Sequence, residues 1–335
     1  IAIGPLVAEH WWEDNKHKLT VALLLGIPTA ICLILGGMVH DLEHQLFGDY
    51  IPFIILLLAL YVITGGIHLA GDIEAKPWVN TTFLAIGWVL ASIMGTTGAA
   101  MLLIRPLLTT NQQREYKVHT VLFFIALVAN CGGLLTPLGD PPLFMLFLRG
   151  AEFAWFFSLF PQWLFTGAVL LIIYFALDTY YYKKEHWTAI SADHREHKPL
   201  CLKGGINLLY LLCVVLAVAF VNVGMIPAMG EPGAPLWLQY LREIILISLT
   251  FISIYTTKRK VRYELNHFSW SPIVEVAVLF LGIFTTMTPA LAYLSDNAAA
   301  LGLNQTWHFY YLTGALSSFL DNTPTAVAFH SVAAG

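Results

Sequence analysis

Two short polar segments interrupt apolar runs that are long enough to cross a bilayer. They lie at 130–142 and 319–325, and Asp140 and Asp321 are the formally charged residues within them. Inside a bilayer every backbone polar group needs an internal partner, so a helix break there must face protein or a water-filled cavity. A carboxylate at the same depth marks a functional site. Broken helices that carry such groups are typical of secondary transporters.

The composition is typical of an integral membrane protein. Hydrophobic residues make up 58% and charged residues 11%, against roughly 45–50% and 25% in soluble domains. We therefore predict an all-α polytopic membrane protein whose first partner is the lipid bilayer. No basic face suited to nucleic acid is visible, and we expect no nucleic-acid partner.

The distribution of Lys and Arg predicts how the chain crosses the membrane. The apolar segments are expected at 19–38, 51–71, 78–104, 118–148, 153–177, 206–226, 238–256, 272–294 and 307–335. The His/Asp/Glu-rich stretch 40–50 is expected to be an outside loop. If 78–104 is a re-entrant hairpin, 15 of the 17 Lys and Arg lie inside, all except Arg149 and Arg242. The positive-inside rule favours this arrangement.

The second half of the chain is predicted to repeat the first in inverted orientation. At an offset of 226 residues, Leu90, Ser92, Thr97 and Ala100 match Leu316, Ser318, Thr323 and Ala326. We predict a first repeat at 1–177, with a hairpin at about 78–104 and a broken helix at about 118–148. A cytoplasmic loop and linking helix follow at 178–235. A second repeat at 236–335 ends after its hairpin, so we expect the sequence to be a fragment whose second broken helix follows Gly335.

The segment 130–142 has the composition of an unwound cation site. Glycines let the backbone turn and prolines stop the helix, which frees carbonyl oxygens of the kind that hard cations prefer. The candidate residues here are Asn130, Gly132, Gly133, Thr136, Gly139 and Asp140, where Na⁺ and H⁺ would compete for the Asp140 carboxylate. The alternative is an ordinary turn capped by an Asp.

The two hairpin tips supply the remaining candidates. The first tip holds Gly95, Thr96, Thr97 and Gly98, and the second holds Asp321, Asn322, Thr323 and Pro324. Asp321 is predicted to bind Na⁺ or H⁺; a plain helix N-cap is the alternative. Helix N-termini at both tips also favour an anion, so a carboxylate substrate stays open, although no buried Arg or Lys lies near the tips in sequence.

A zinc-hydrolase alternative rests on a short pattern. His40, Glu43 and His44 match HxxEH, but the match lies in a predicted connection without an obvious third ligand. His119 and Glu275 are interpreted as anchors at the cytoplasmic edge, and His68 as a packing residue.

Three motifs resemble one transporter superfamily. Leu134–Pro142, Gly95–Pro106 and Phe319–Thr325 are similar to the NhaD-type sodium/proton antiporters and to the related citrate-transporter group of the ion-transporter superfamily. The resemblance implies an inverted-repeat transporter with re-entrant helical hairpins and broken helices, elevator-like movement and a homodimer.

Our leading hypothesis is a Na⁺/H⁺ antiporter, and not an enzyme, in a bacterial inner membrane. Asp321 and Asp140 would hold Na⁺ and H⁺ in turn, and no cofactor is expected. A Na⁺- or H⁺-coupled citrate or carboxylate symporter is the alternative.

Overall fold

The structure is a computed structural model that describes residues 8–187, 190, 198–231, 233–303 and 305–334. These residues are mainly helical, which confirms the all-α polytopic membrane fold. Among them, six helical segments are long and apolar enough to cross a membrane: Asn15–Leu35, Val39–Thr64, Pro77–Met94, Val118–Leu135, Phe153–Tyr182 and Ser271–Asp296. Helical hydrogen bonds are the main way in which such segments satisfy their backbone polar groups in a bilayer.

The helices of the first half follow the apolar segments, with caps and turns between them. They are α1 (Glu9–Trp12), α2 (Asn15–Leu35), α3 (Val39–Glu43), α4 (Ile51–Thr64), α5 (Pro77–Met94), α6 (Thr96–Thr110), α7 (Val118–Phe124), α8 (Pro141–Leu148) and α9 (Phe160–Tyr182). A π-helix, His44–Tyr50, joins α3 to α4. A second π-helix, Ile125–Asn130, and a 3₁₀ turn, Cys131–Leu135, extend α7, and a 3₁₀ turn, Phe153–Leu159, precedes α9.

The second half of the described chain is also mainly helical. They are α10 (Ile206–Phe220), α11 (Leu236–Gln239), α12 (Leu241–Thr256), α13 (Ser271–Asp296), α14 (Thr306–Ser317) and α15 (Asn322–Ala334). A π-helix, Lys260–Leu265, follows α12, and 3₁₀ turns lie at Pro227–Gly230 and Ala298–Leu301. Two strands, β1 (His68–Asp72) and β2 (Lys198–Lys203), pair antiparallel with His68 opposite Lys203.

The chain divides into two units that alternate along the sequence. Unit 1 contains 1–57, 144–151 and 269–335, and unit 2 contains 58–143 and 152–268. In unit 1, α13 packs against α2 and α15. In unit 2, the hairpin of α5 and α6 packs against the broken segment that follows α7. The predicted inverted repeat stays a prediction.

The prediction that 40–50 is a loop is wrong, and its placement outside stays a prediction. Residues 39–64 form one continuous helical segment in which the π-helix His44–Tyr50 replaces the loop. Its polar residues misled the composition argument because two of them, Gln45 and Asp49, turn inward and are 4% and 1% exposed. Their partner is Arg149, whose side chain bonds to both.

The two cations that the charge pattern placed outside are both neutralised. Arg149 Nη2 lies 3.0 Å from Asp49 Oδ2, and Arg242 Nη2 lies 2.5 Å from Glu243 Oε1. A cation held by a buried carboxylate presents no free charge to the membrane interface. The pairs therefore give a physical reason why these two arginines depart from the predicted pattern.

The linking helix α10 is fastened inside unit 2 by a buried amide. Asn207 Nδ2 donates to the Gly66 carbonyl at 3.1 Å and to Thr257 Oγ1 at 2.9 Å. Ser253 Oγ donates to Asn207 Oδ1 at 2.6 Å. One side chain thus ties the N-terminus of α10 to the chain after α4 and to the end of α12.

A buried guanidinium supports the same corner of unit 2. Arg262 donates to the carbonyls of Val62 and Ser253, which lie near the C-termini of α4 and α12. A cation is favourable at helix C-termini because the free carbonyls there carry partial negative charge. Burial nevertheless lowers the pKa of the Arg262 guanidinium below its usual value.

Candidate functional site

The first hairpin turns at a single glycine. Gly95 separates α5 from α6 and has φ +79°, a conformation that glycine adopts without steric cost. A Cβ at this position would lie 3.1 Å from the Leu138 carbonyl oxygen. Glycine therefore meets two needs here, the turn itself and the close approach of the broken segment.

The first tip is joined to the broken segment by backbone and side-chain bonds. The Thr96 N–H donates to the Gly139 carbonyl at 2.9 Å. Thr96 Oγ1 donates a long hydrogen bond of 3.4 Å to Asp140 Oδ1. The structure therefore brings together Gly95, Thr96, Gly139 and Asp140, four of the candidates proposed from sequence.

Close glycine packing gives the broken segment its shape. A Cβ on Gly133 would lie 2.6 Å from the Gly139 carbonyl oxygen, and one on Gly132 would lie 2.7 Å from the Leu127 carbonyl oxygen. A real Cβ does not approach an oxygen this closely, so any larger residue would force the segment apart. The glycines were predicted to free the backbone, and their second role is this contact.

Ser92 holds the broken segment from the hairpin side. Its hydroxyl donates to the Gly132 carbonyl at 2.5 Å and accepts from the Leu135 N–H at 3.4 Å. Thr136 Oγ1 donates to the Ser92 carbonyl, and Trp163 Nε1 donates to the Gly132 carbonyl at 3.1 Å. Sequence reasoning missed the roles of Ser92 and Trp163, although the match of Ser92 with Ser318 was a signal.

Two candidates of the first repeat lie elsewhere on its surface. Asn130 is exposed and its amide donates to the Ile125 carbonyl at 3.2 Å. Thr97 is exposed on α6, while Gly98 is buried, and a Cβ there would lie 2.9 Å from Thr64 Oγ1. Their predicted roles as ion ligands stay predictions.

The second tip is open to solvent within unit 1. Asp321 and Asn322 are exposed, and α14 and α15 pack against each other. Asp321 Oδ1 accepts from the Thr323 N–H at 3.4 Å, a contact of the N-cap kind, as the alternative interpretation expected. Ser317 Oγ donates to Asn322 Oδ1.

Thr323 combines burial with an unused hydroxyl. It is 1% exposed, and its Oγ1 has no hydrogen-bond partner among the described residues. Pro324 follows it in the first turn of α15, where a missing N–H costs little. Of the second-tip candidates, Thr323 is the one whose oxygen is both buried and available to a ligand.

The structure gives no support to the zinc-hydrolase alternative. His40, Glu43 and His44 are exposed on α3 and the π-helix after it. Across the part of the chain that the structure describes, no group of three or more His, Cys, Asp or Glu side chains could hold a metal ion.

The predicted interfacial anchors are paired side chains. His119 Nε2 lies 2.8 Å from Asp178 Oδ1, which also binds Arg114 Nη1 at 2.7 Å. Glu275 Oε1 lies 2.6 Å from Lys18 Nζ. His68 Nδ1 lies 2.8 Å from Asn266 Oδ1, which agrees with its interpretation as a packing residue.

Comparisons with known proteins place this geometry in context. A family model described as "Putative citrate transport" matches residues 1–335. The chain is also 30% identical over 132 residues to the inner membrane protein YbiR of Escherichia coli strain K12. That alignment covers 36% of this chain and 35% of YbiR, so it spans about a third of the relative's length. No solved structure matched the chain significantly.

Proposed function

Since the chain belongs to the family described as putative citrate transport, we propose that it is a secondary active transporter of citrate or a similar carboxylate. Transport is coupled to Na⁺ or H⁺ and proceeds by alternating access. The match over residues 1–335 supports carboxylate transport better than a sodium/proton antiporter.

One observation carries the choice of a carboxylate. The sequence argument against a multivalent anion was the lack of a buried cation near the hairpin tips. Arg149 Nη1 lies 3.2 Å from Ser331 Oγ, on the second arm of the second hairpin. A guanidinium is suited to carboxylate because its planar donors match the two oxygens. The cation that the proposal needs is therefore bonded to a hairpin.

The helix N-termini at the tips support the same substrate class. α6 begins at Thr96 and α15 begins at Asn322. The partial positive charge at a helix N-terminus stabilises an anion. A substrate that binds at such a terminus would exert a force on the hairpin that carries it. We assign this role, substrate binding that acts on the hairpin, to the tips.

A Na⁺/H⁺ antiporter is the second candidate, and a specific contact favours it. Thr96 Oγ1, Asp140 and the Gly139 carbonyl meet at the first tip. Oxygen ligands of this kind are preferred by hard cations. In the symporter the same oxygens would hold the coupling ion.

Flux measurements on the full-length protein separate the two. In proteoliposomes we expect labelled citrate to accumulate under an imposed Na⁺ or H⁺ gradient. Asp140→Asn and Asp321→Asn should each lower this uptake because they remove the proposed ion carboxylates. Na⁺-dependent proton flux without citrate uptake would instead establish the antiporter.

Localisation and assembly are part of the proposal. The chain is an integral membrane protein, and YbiR by its name is an inner membrane protein. We place this chain in a bacterial inner membrane as well, as a homodimer that works by elevator-like movement.

A further inference from the structure

A buried charged cluster lies in unit 1. Its members are Gln45 and Asp49 on the π-helix His44–Tyr50, Arg149 directly after α8, and Ser331 on α15. Arg149 Nη2 lies 3.0 Å from Asp49 Oδ2 and 3.4 Å from Gln45 Oε1, and its Nη1 lies 3.2 Å from Ser331 Oγ. One guanidinium thus joins a helix to an arm of the second hairpin.

The cluster is buried, yet it stays within reach of a ligand. Asp49 is 1% exposed and Gln45 is 4% exposed, whereas the Arg149 side chain is 16% exposed. Removing a charge from water is costly unless it is paired. The Asp49–Arg149 pair satisfies that condition.

Two buried donors of the cluster have no acceptor. Arg149 Nε and Gln45 Nε2 make no hydrogen bond among the described residues. The Gln45 amide cannot be reversed without loss, because its oxygen accepts from Arg149 Nη2. A buried donor left unpaired costs about 1–3 kcal/mol. Two such donors, the guanidinium Nε of Arg149 and the amide of Gln45, indicate that an oxygen-bearing anion completes the site.

We propose that Arg149 exchanges the Asp49 carboxylate for a carboxylate of the substrate, and that Asp49 then takes up a coupling proton, separate from the ion that the tip carboxylates would hold. This inference rests on the proposed carboxylate transport. In the empty site, ionised Asp49 pairs with Arg149. On loading, one proton from solution binds an Asp49 carboxylate oxygen, and a substrate carboxylate accepts from Arg149 Nε and Gln45 Nε2.

The exchange conserves the charge of the site. The proton adds one positive charge and the substrate carboxylate adds one negative charge, so the buried cluster stays neutral. A neutral cluster is cheaper to hold in a low-dielectric interior than one with a net charge. Loading either partner alone would leave a net charge, and this penalty couples the proton to the carboxylate.

Other titratable groups face the pair. His44, on the same π-helix, and His330, next to Ser331 on α15, both interact electrostatically with Asp49, and His330 also interacts with Arg149. Ser331 links the exchange to the hairpin, since its hydroxyl accepts from the guanidinium that changes partner. The pair is thus placed to transmit its state to a hairpin arm.

The decisive measurement is the number of protons taken up when citrate binds. We would titrate the purified full-length protein with citrate by calorimetry, in buffers that differ in ionisation enthalpy, at about pH 8, well above ordinary carboxylate pKa values. The wild type should take up about one proton for each citrate bound, and Asp49→Asn should bind citrate with no proton uptake. Glu243→Gln neutralises the carboxylate of another buried arginine pair and should behave as the wild type.

The arginine and its neighbour are tested by affinity. Arg149→Gln should weaken citrate binding about 100-fold, the loss of a charge-assisted hydrogen bond, and Arg242→Gln should not. Gln45→Leu keeps the ion pair and should weaken citrate about 10-fold with proton uptake unchanged. It therefore still tests the proposal if an Arg149 variant does not fold.

Each contrary result has a separate meaning. Equal proton uptake by the wild type and Asp49→Asn would overturn the proposal. Unchanged citrate affinity in both Arg149→Gln and Gln45→Leu would also overturn it, and would mean that Asp49 and Arg149 form a structural ion pair only. Failure of the folded wild type to bind citrate or any related carboxylate would remove the proposed function itself, and this inference with it.

Discussion

The two helical hairpins share a design but differ in what covers their tips. In the first, the Thr96 N–H bonds to the Gly139 carbonyl, and Thr96 Oγ1 approaches Asp140. In the second, Asp321 is exposed, and the tip bonds described above run within the hairpin itself. The first hairpin draws its carboxylate from the broken segment, whereas the second carries its own. A hairpin tip therefore becomes a packed polar site when a broken segment lies against it.

A methyl group added at the contact between Gly133 and Gly139 should disturb the packing of the first tip most strongly. Gly133→Ala places a Cβ 2.6 Å from the Gly139 carbonyl oxygen, and we expect the free energy of unfolding to fall by about 3 kcal/mol. Transport should be lost because the broken segment leaves the tip. Thermal unfolding in detergent and flux in liposomes would measure the two effects.

The second hairpin offers a matched control. A Cβ on Gly314 of α14 meets nothing within 4 Å, so Gly314→Ala should stabilise the helix by about 0.5–1 kcal/mol. If both alanine variants behaved alike, the close packing of the first tip would not be the source of the difference.

Ser92 and Ser318, which the predicted repeat matches with each other, should differ next. Ser92→Ala removes one of the two donors to the Gly132 carbonyl, which keeps its bond from Trp163, and removes the side-chain acceptor of the Leu135 N–H, and should cost about 1–2 kcal/mol. Ser318→Ala removes only a bond to the Gly314 carbonyl of its own hairpin and should stay within about 0.5 kcal/mol. Unfolding midpoints of the two variants would decide, and a larger loss in Ser318→Ala would contradict the prediction.

The smallest effect is expected from neighbouring threonines of the first tip. Thr96→Val removes the hydroxyl that approaches Asp140, and transport should fall about 10-fold, the equivalent of about 1.4 kcal/mol. Thr97 is exposed, and Thr97→Val should change transport less than twofold. Initial rates of citrate uptake would show the contrast, and equal rates would remove Thr96 from the site.

Local sequence was sufficient for the interruptions of helices. Glycine and proline inside apolar runs predicted the turn at Gly95 and the broken segment at 130–142, because both residues act on their own backbone. Asp140 was found for a similar reason, since a lone carboxylate is conspicuous among apolar neighbours. Thr96 contacts both Gly139 and Asp140, so residues that were predicted to belong to one site lie together.

Pairings between distant residues were beyond the sequence. Asp49 was taken for part of a polar loop because its partner, Arg149, lies 100 residues away. Asp178 was placed at the start of the predicted cytoplasmic loop, whereas it lies on α9 and pairs with Arg114 and His119. Strand β1 was also missed, because its partner is the distant strand β2. A local pattern reports what a residue does to its own helix, and a buried ion pair leaves no such pattern.

The alternation of the two units along the chain has a consequence for the gene. The boundaries at 57/58, 143/144, 151/152 and 268/269 divide unit 1 into three stretches and unit 2 into two. No single cut in the coding sequence can therefore release either unit whole. Unit 2 interrupts unit 1 twice, so an insertion or deletion within 58–143 or 152–268 changes the length of chain that joins two stretches of unit 1.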